Sequence, residues 1–396
     1  MNIIRYETAG ESHGKGMLSV LSGMPAGLEI DQTVLDRELA RRQGGYGRGQ
    51  RMKIETDRAD IISGVRHGKT IGSPIALMVW NKDYENWKDK VTEPITRPRP
   101  GHADLVGAYK YGLTDDIRHV LERSSARETA ARVAAGAVAK IFLARFGIEV
   151  FSHVVEWGGI KIDTSAMTLA EIRSRAEASP IGSACGGTQE KEITAMIDDY
   201  RAKGETMGGV IETVIYPIPP MLGSYQSAPR RLEARLSSEI MSIQAIKGIE
   251  IGNGFGLAGT PGSEAHDEIY FDNDKNEYYR KTNRAGGIEG GMTNGCPVIV
   301  RAVMKPIPTL MKPLDTADIA TGEAAKAVTE RSDVTAVAAA GVVIESAAAL
   351  VIADAFMERY GNDSMEQTTR NFNSDPDQRK FRWKGVNWLD GRIAGK

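Results

Sequence analysis

A mixed α and β fold is what the sequence predicts, and three observations carry the prediction. The stretch from Arg123 to Gly147 is rich in alanine, with Val, Ile, Leu and Phe filling its body, and reads as one long central helix buried on most sides. Residues 334–359, rich in Ala and Val, read as a second buried helix. Around them, short apolar or alternating runs bounded by glycine and proline read as strands.

Taken in order, residues 1–30 predict two short strands around a Gly-rich turn, Thr8 to Gly16, which carries G-E-S-H-G. Glycines near His13 allow a ligand to approach the backbone closely. From Asp31 to Gln43, an Asp cap and apolar Val34, Leu35 and Leu39 predict an amphipathic helix that Gly44 ends. The nine residues that follow, G-G-Y-G-R-G-Q-R-M, hold four glycines and two arginines and make a flexible basic loop. It lacks G-x-G-x-x-G after a strand and the G-K-[ST] ending of a P-loop, so neither a dinucleotide fold nor nucleotide hydrolysis is predicted. Asp60 to Val79 predicts two strands separated by R-H-G-K-T-I-G-S-P. Residues 81–104 are irregular, and prolines at 94, 98 and 100 stiffen the segment that presents His102.

In the central helix, Ser125 followed by Glu128 has the spacing of a capping box, and Gly147 can supply the left-handed stop. Its first turn favours an anion through free N–H groups and the positive end of the helix dipole, and Arg123, Arg127 and Arg132 add full charges. Beyond it, Ile148–Val155 reads as a strand, Thr168–Ala178 as a helix, Ser183–Thr188 as a small-residue loop and Gly208–Val214 as a strand. A helix from Arg230 to Ile246, stopped by Gly248, leads into strand-like I-E-I-G-N-G-F-G; the helix, glycine, strand order repeats that of Arg123–Val155 and suggests an internal duplication. Residues 262–285 read as a polar, mobile segment, and G-G-I-E-G-G-M-T-N-G then holds five glycines in ten residues. Pro297–Met304 predicts a strand leading to the Pro-stiffened K-P-I-P-T loop, Ala317–Thr329 a helix, and the residues from Asn362 a polar, mobile tail.

Composition narrows the function. At 396 residues, 41% hydrophobic and 26% charged, the chain is ordinary for a globular protein. Cys185 and Cys296 stand far apart without metal-ligand spacing, which indicates neither a disulfide framework nor a metal site and fits a reducing, cytoplasmic setting. No apolar signal core opens the chain, and no uninterrupted apolar run is long enough to span a bilayer, so no membrane partner is expected. A net charge of −2, with no aromatics interleaved among the basic clusters, argues against nucleic acid. The positive charge is local: Arg41, Arg42, Arg48 and Arg51; Arg97, Arg99 and His102; Arg118, His119, Arg123 and Arg127; Arg230, Arg231 and Arg235. Such clusters on a near-neutral chain suit small polyanions.

The loops carrying His13, Arg48, His102, Arg127, Lys305 and Arg331 are spread over most of the chain. They include G-E-S-H-G (10–14), R-R-Q-G-G-Y-G-R-G-Q-R-M (41–52), R-P-G-H-A-D (99–104), R-S-S-A-R-E-T-A-A-R (123–132), G-G-M-T-N-G (290–295), K-P-I-P-T (305–309) and R-S-D (331–333). In this order they closely resemble the chorismate synthase family. The resemblance implies an α+β fold, a β-α-β sandwich of antiparallel sheets around central helices with internal pseudo-symmetry, formed by residues 1–396 as a single domain with a polar C-terminal tail from about 362, and assembled as a homotetramer.

The implied reaction is the 1,4-anti elimination of phosphate from 5-enolpyruvylshikimate 3-phosphate to chorismate, in the shikimate pathway of aromatic amino-acid biosynthesis. Reduced FMN is required without net redox change. The substrate carries about −4 and the FMN phosphate about −2 at neutral pH, which calls for several arginines. By motif position, His13 resembles the acid that protonates departing phosphate, His102 the residue that serves reduced flavin near N1, and Asp333 the aspartate that acts at N5; histidine suits both roles because it titrates near neutrality. Arg123, Ser124, Ser125, Gln244, Ala245, Gly290, Lys305, Pro306, Ile307, Pro308, Thr309 and Arg331 correspond to flavin-contacting positions. Arg42, Arg48, Arg51 and Arg127 correspond to positions for substrate phosphate or NADP. The chain departs from the common pattern at Ser332, where many members have His. The FMN is reduced either by this chain with NADPH or by an external reductant such as a separate flavin reductase, and the lack of a dedicated nicotinamide-binding fold favours external supply.

Overall fold

In the computed structural model, described for residues 3–49, 56–90, 92–329 and 333–383, period-2 burial marks the first sheet. Strands β1 (Arg5–Ala9), β2 (Gly16–Ser22), β3 (Ala59–Ser63) and β4 (Ile75–Trp80) form an antiparallel sheet in the order β1-β2-β4-β3. Met17, Ser19 and Leu21 of β2 and Ile75, Leu77 and Val79 of β4 point to one face and are buried. The second sheet joins β5 (Val150–Trp157), β6 (Ile160–Lys161), β7 (Gly209–Ile215), β8 (Ile246–Ile251) and β9 (Val298–Met304), all antiparallel, in the order β8-β9-β7-β5-β6.

Two long helices fill the space between the sheets, and shorter ones pack around the layers. Asp31 accepts the Thr33 N–H and starts α1 (Gln32–Gln43), which Gly44 ends. Then come α2 (Asp104–Tyr111), α3 (Arg118–Ser124), α4 (Thr129–Ala144), α5 (Leu169–Ala178), α6 (Gly187–Ala202), α7 (Leu232–Met241), α8 (Val337–Tyr360) and α9 (Met365–Ser374). α4 packs on β2 and β4, α8 packs on β5 and β7, and the two helices pack on each other, so the layers run sheet, helices, sheet. The expected β-α-β sandwich is therefore observed. One hydrophobic cluster runs through it from Ile4 to Tyr360. By length and composition α8 could cross a membrane, but 94% of its apolar window is buried inside this sandwich.

The close approach of α4 and α8 depends on Gly136. A Cβ there would stand 2.3 Å from the Ser346 Cβ and 2.6 Å from the Ser346 Cα, so the two backbones must separate to admit it. Gly136→Ala is expected to cost about 1–3 kcal/mol of stability despite the better helix propensity of alanine, measured by urea denaturation.

Several elements differ from the sequence reading. The helix expected over Arg123–Gly147 is two: α3 ends at Ser124, Ser125 is extended with ψ 143°, and a 3-10 turn, Ala126–Glu128, leads into α4. No capping box forms there. The Ser125 N–H already donates to Leu121 O at 3.0 Å, and the Glu128 carboxylate accepts from Thr8, Arg132 and Gln244 instead. Gly147 is left-handed, as expected, at φ +72°.

The helix read as Arg230–Ile246 stops at Met241, because the backbone from Ile246 is claimed by pairing with β9; Gly248 lies within the strand, at a bulge. Ala317–Thr329 is not a helix but a hairpin, Asp315–Ala317 against Ala324–Lys326. Gly322 turns it at φ +73°, and the segment hydrogen-bonds to the proline-rich stretch from the loop through Ile319 N to Thr96 O and from beyond the second strand through Val328 N to Arg97 O. Within residues 262–285, Tyr270–Asp272 pairs with Glu277–Arg280, and Asp267 accepts from Thr282, Arg284 and Ala285. Past Asn362, α9 packs on α8, and Phe372 joins Phe146, Phe356 and Tyr360 in an aromatic cluster. That part of the tail belongs to the core.

Candidate active site at the break between α3 and α4

The extended residue Ser125 is the point where the separated motifs meet. Its Oγ lies 3.1 Å from the Ser12 Oγ and accepts the Arg127 N–H at 3.3 Å. Just before it, Glu122 at the end of α3 grips the G-E-S-H-G loop three times. Its carbonyl accepts the Ser12 N–H at 2.9 Å, Oε2 accepts the His13 N–H at 2.8 Å, and Oε1 meets His13 Nδ1 at 2.7 Å. The His13 ring rests on Trp87, with centroids 4.1 Å apart. Burial would raise the Glu122 carboxyl, but the hydrogen bonds from His13 outweigh it and hold the group below the ordinary carboxylate range.

Two further clusters flank this one. On the β1 side, Arg123 donates to Thr8 O and Oγ1 at 2.7 and 2.8 Å, Thr8 Oγ1 donates to Glu128, and Arg132 and Gln244 also donate to Glu128. On the α1 side, Arg42 and Arg127, both buried, share the carboxylate of Asp57 at 2.7–2.8 Å. Arg48 pairs with Asp333 at 2.7 Å, and Asp333 also accepts the Gly49 N–H. Burial pushes the Arg42 guanidinium below its ordinary pKa; Asp57 opposes this, while Arg127 and Arg48 add repulsion. An anion bound here would relieve that repulsion.

The R-P-G-H-A-D and K-P-I-P-T loops form the remaining wall. Arg99 forks onto Asp104 at 2.8 and 3.0 Å and donates to Thr309 Oγ1 at 3.0 Å, and His102 Nδ1 meets the same carboxylate. Burial opposes ionisation of Asp104, but hydrogen bonds from His102 and Arg99 keep it far below the ordinary range. Lys305 Nζ donates to Gly101 O at 2.5 Å, its N–H donates to Ala245 O, and Ile307 O accepts from Thr206. Ala245 takes the left-handed conformation at φ +67°, which places this turn between α7 and β8 beside the loop.

Most sequence-predicted site residues are thus brought into one connected region. Gly290 is not: it turns the hairpin Ile288–Glu289 with Met292–Thr293, held at the start of α7 through Leu232 N to Gly291 O, and no described hydrogen bond ties it to the helix break. The Ser124 hydroxyl donates back to Val120 O within α3. Arg51 and Arg331, with Ser332, lie outside the described residues. Sequence reasoning missed the carboxylates that hold the basic groups, Asp57, Glu122 and Asp104. Asp104 was within reach as the last residue of R-P-G-H-A-D. Asp57 sits in no glycine- or proline-shaped motif, and only the fold reveals it.

The comparisons with known proteins agree over almost the whole chain. Residues 4–357 match the family described as Chorismate synthase. A chorismate synthase of Thermoanaerobacter pseudethanolicus is 51% identical over 371 residues, covering 94% of this chain and 98% of the relative. One of Geobacter metallireducens is 50% identical over 385 residues, covering 93% and 98%. A crystal structure of chorismate synthase, 40% identical, superposes with a TM-score of 0.78 over 95% of this chain and 98% of that one. With the fold and the helix-break site in place, these matches settle the family: the chain belongs to the chorismate synthases, lyases of the shikimate pathway.

Proposed function

We propose that the break between α3 and α4 is where this lyase binds 5-enolpyruvylshikimate 3-phosphate beside reduced FMN and eliminates phosphate in the 1,4-anti sense to form chorismate. The observation that carries the reading is the convergence at Ser125 of the His13 loop with the buried Arg42, Arg127 and Asp57 cluster. Arg42, Arg48 and Arg127 hold the substrate's anionic groups, with Arg51 assigned to the same task by its motif. The histidine on the Glu122 side, His13, gives a proton to the departing phosphate.

The residues present fit a flavin. Gln244 Oε1 is buried with no partner among the described residues, and Arg42 Nε likewise, so polar atoms wait for a ligand. Arg123, Ser125, Gln244, Ala245 and the Lys305–Thr309 loop would hold the cofactor, with Ser124, Gly290 and Arg331 assigned by motif. His102, held by Asp104, would serve its N1 side and Asp333 its N5 side. Bound reduced FMN supplies transient electron density that helps the poor leaving group depart, without net oxidation. Reduction is supplied by an external reductant such as a separate flavin reductase, with reduction by the chain's own use of NADPH as the alternative.

Two further parts complete the reading. Cys185 and Cys296 are free thiols, in keeping with a reducing, cytoplasmic setting. Assembly as a homotetramer is carried over from the family resemblance. Under anaerobic conditions the purified chain is expected to release phosphate from the ester with reduced FMN and not with oxidised or omitted FMN. Absence of release with reduced FMN would defeat the proposal.

A further inference from the structure

The contacts around His13 go beyond anchoring a loop. Both oxygens of one carboxylate serve the same residue, Oε2 taking its backbone N–H at 2.8 Å and Oε1 its Nδ1 at 2.7 Å. Asn81 Nδ2 donates to the carbonyls on either side, Ser12 O at 3.0 Å and Gly14 O at 3.1 Å. Trp87 covers a face of the ring and is itself fixed by its Nε1 donating to Asp83 at 2.8 Å. Main chain, ring plane and one ring nitrogen are therefore all determined by neighbours. Nε2 is left as the nitrogen with which the ring can meet a substrate.

An ionised carboxylate can only accept a hydrogen bond, so the ring nitrogen facing it must carry hydrogen. Glu122 is held ionised by its contacts with His13, against its burial. The second histidine differs in one respect. Asp104 divides its carboxylate between His102 and the guanidinium of Arg99, whereas the ion pair described for Glu122 is with His13.

We propose that Glu122 is a positioning residue for the reaction: it fixes the Nδ1–H tautomer of His13 and directs Nε2 at the departing phosphate. This rests on the reading of His13 as the acid. In the step, the Nε2–H bond breaks, an O–H bond forms on the phosphate as its C–O bond to the ring breaks, and His13 is left neutral with its remaining hydrogen on Nδ1 against Glu122. A carboxylate that stabilises the charged ring and selects its neutral tautomer acts through histidine without touching substrate, the same division of labour as in a serine-protease triad.

The test is Glu122→Gln in the full chain with reduced FMN, read by kinetics and by long-range 1H–15N NMR of the histidine rings. The amide keeps the shape but can donate as well as accept, so the tautomer is no longer enforced. We expect kcat to fall about 10²-fold with KM nearly unchanged, and the neutral His13 ring to shift from the Nδ1–H form to a mixture. Glu122→Asp, which retains the carboxylate, should recover part of the loss and of the tautomer signal. Wild-type kcat and an unchanged tautomer in Glu122→Gln would overturn the proposal, as would equal losses in both variants with the tautomer unchanged. His13→Ala separates the two levels: full activity there removes the acid reading itself, whereas loss there with an unaffected Glu122→Gln removes only the role of Glu122.

Discussion

His13→Ala is expected to retain the fold and to bind reduced FMN, while kcat for phosphate release falls by about 10²–10⁴-fold, the usual worth of a positioned general acid. The fold should survive because His13 lies on a loop, outside the hydrophobic core, and its ring touches Trp87 and Glu122 only at the site. Flavin binding should survive because the proposed flavin contacts cluster on the Arg123, Gln244 and Lys305 side of the break. His102→Ala should likewise bind flavin and lose most turnover, since Asp104 keeps its paired contact with Arg99 when the imidazole is removed. Anaerobic phosphate release and a flavin titration on the same preparations check both. Wild-type rates in either variant would withdraw the role assigned to that histidine.

Glu345→Ala is expected to lose about 3–5 kcal/mol of stability, the cost of leaving buried charge without its partner. Glu345 is fully buried on α8 and accepts from Arg41 at 2.7 and 2.8 Å, from Lys140, and from the Ser152 N–H and hydroxyl at 2.9 and 2.6 Å. Arg41 and Lys140 also meet buried Glu38 at 2.7 and 2.6 Å, so two cations and two carboxylates tie α1, α4, α8 and β5 together. Without Glu345, two cations would share one anion. Replacing Lys140 and Glu345 together by methionine should cost much less than the single change, because no unpaired charge remains.

The pH dependence of this difference has a definite sign. Burial acts to raise the Glu345 carboxyl, but Lys140 and Arg41 overcome it and hold the group well below its ordinary range. A depressed pKa contributes stability that is fully present above the unfolded value, about 4.3, and is lost as pH falls toward the folded value. The gap in urea midpoint between wild type and Glu345→Ala should therefore be constant from neutral pH to about 5 and narrow below 4. A gap that widened on acidification would contradict the network's assigned role.

How much of this was legible in the sequence depended on where the decisive interaction lay. The second buried helix was readable because apolar residues surround it on every side, and α1 because its Asp cap and apolar stripe are local. α6 carries a local signal of the same kind: Ile193, Met196, Ile197 and Tyr200 follow helical spacing, and the first and third are buried. The break at Ser125 was not readable, since it depends on Ser12 and Thr8, more than a hundred residues away, claiming Ser125 and Glu128. The Ala317–Thr329 segment has the composition of a helix, but its backbone bonds to the segment at Thr96 and Arg97 favour a hairpin.

The same distinction holds for the site. Arginines and histidines announced themselves through glycine- and proline-shaped loops that also carry the family resemblance. Their carboxylate partners did not, because an isolated Asp57 or Glu122 looks like any solvated acid until the fold buries it against a cation or an imidazole. The arginine-rich loops therefore describe a pocket more basic than the one that forms. Asp57, Asp104, Glu128 and Asp333 hold the guanidinium groups in place and reduce their mutual repulsion before any anion arrives.

The most direct measurement is a single turnover without oxygen, mixing the chain and reduced FMN with the phosphate ester and determining phosphate, chorismate and flavin redox state at the end. One phosphate and one chorismate per ester consumed are expected, with the flavin still reduced. Equal turnover without flavin, or flavin oxidised in proportion to product, would contradict the proposed function.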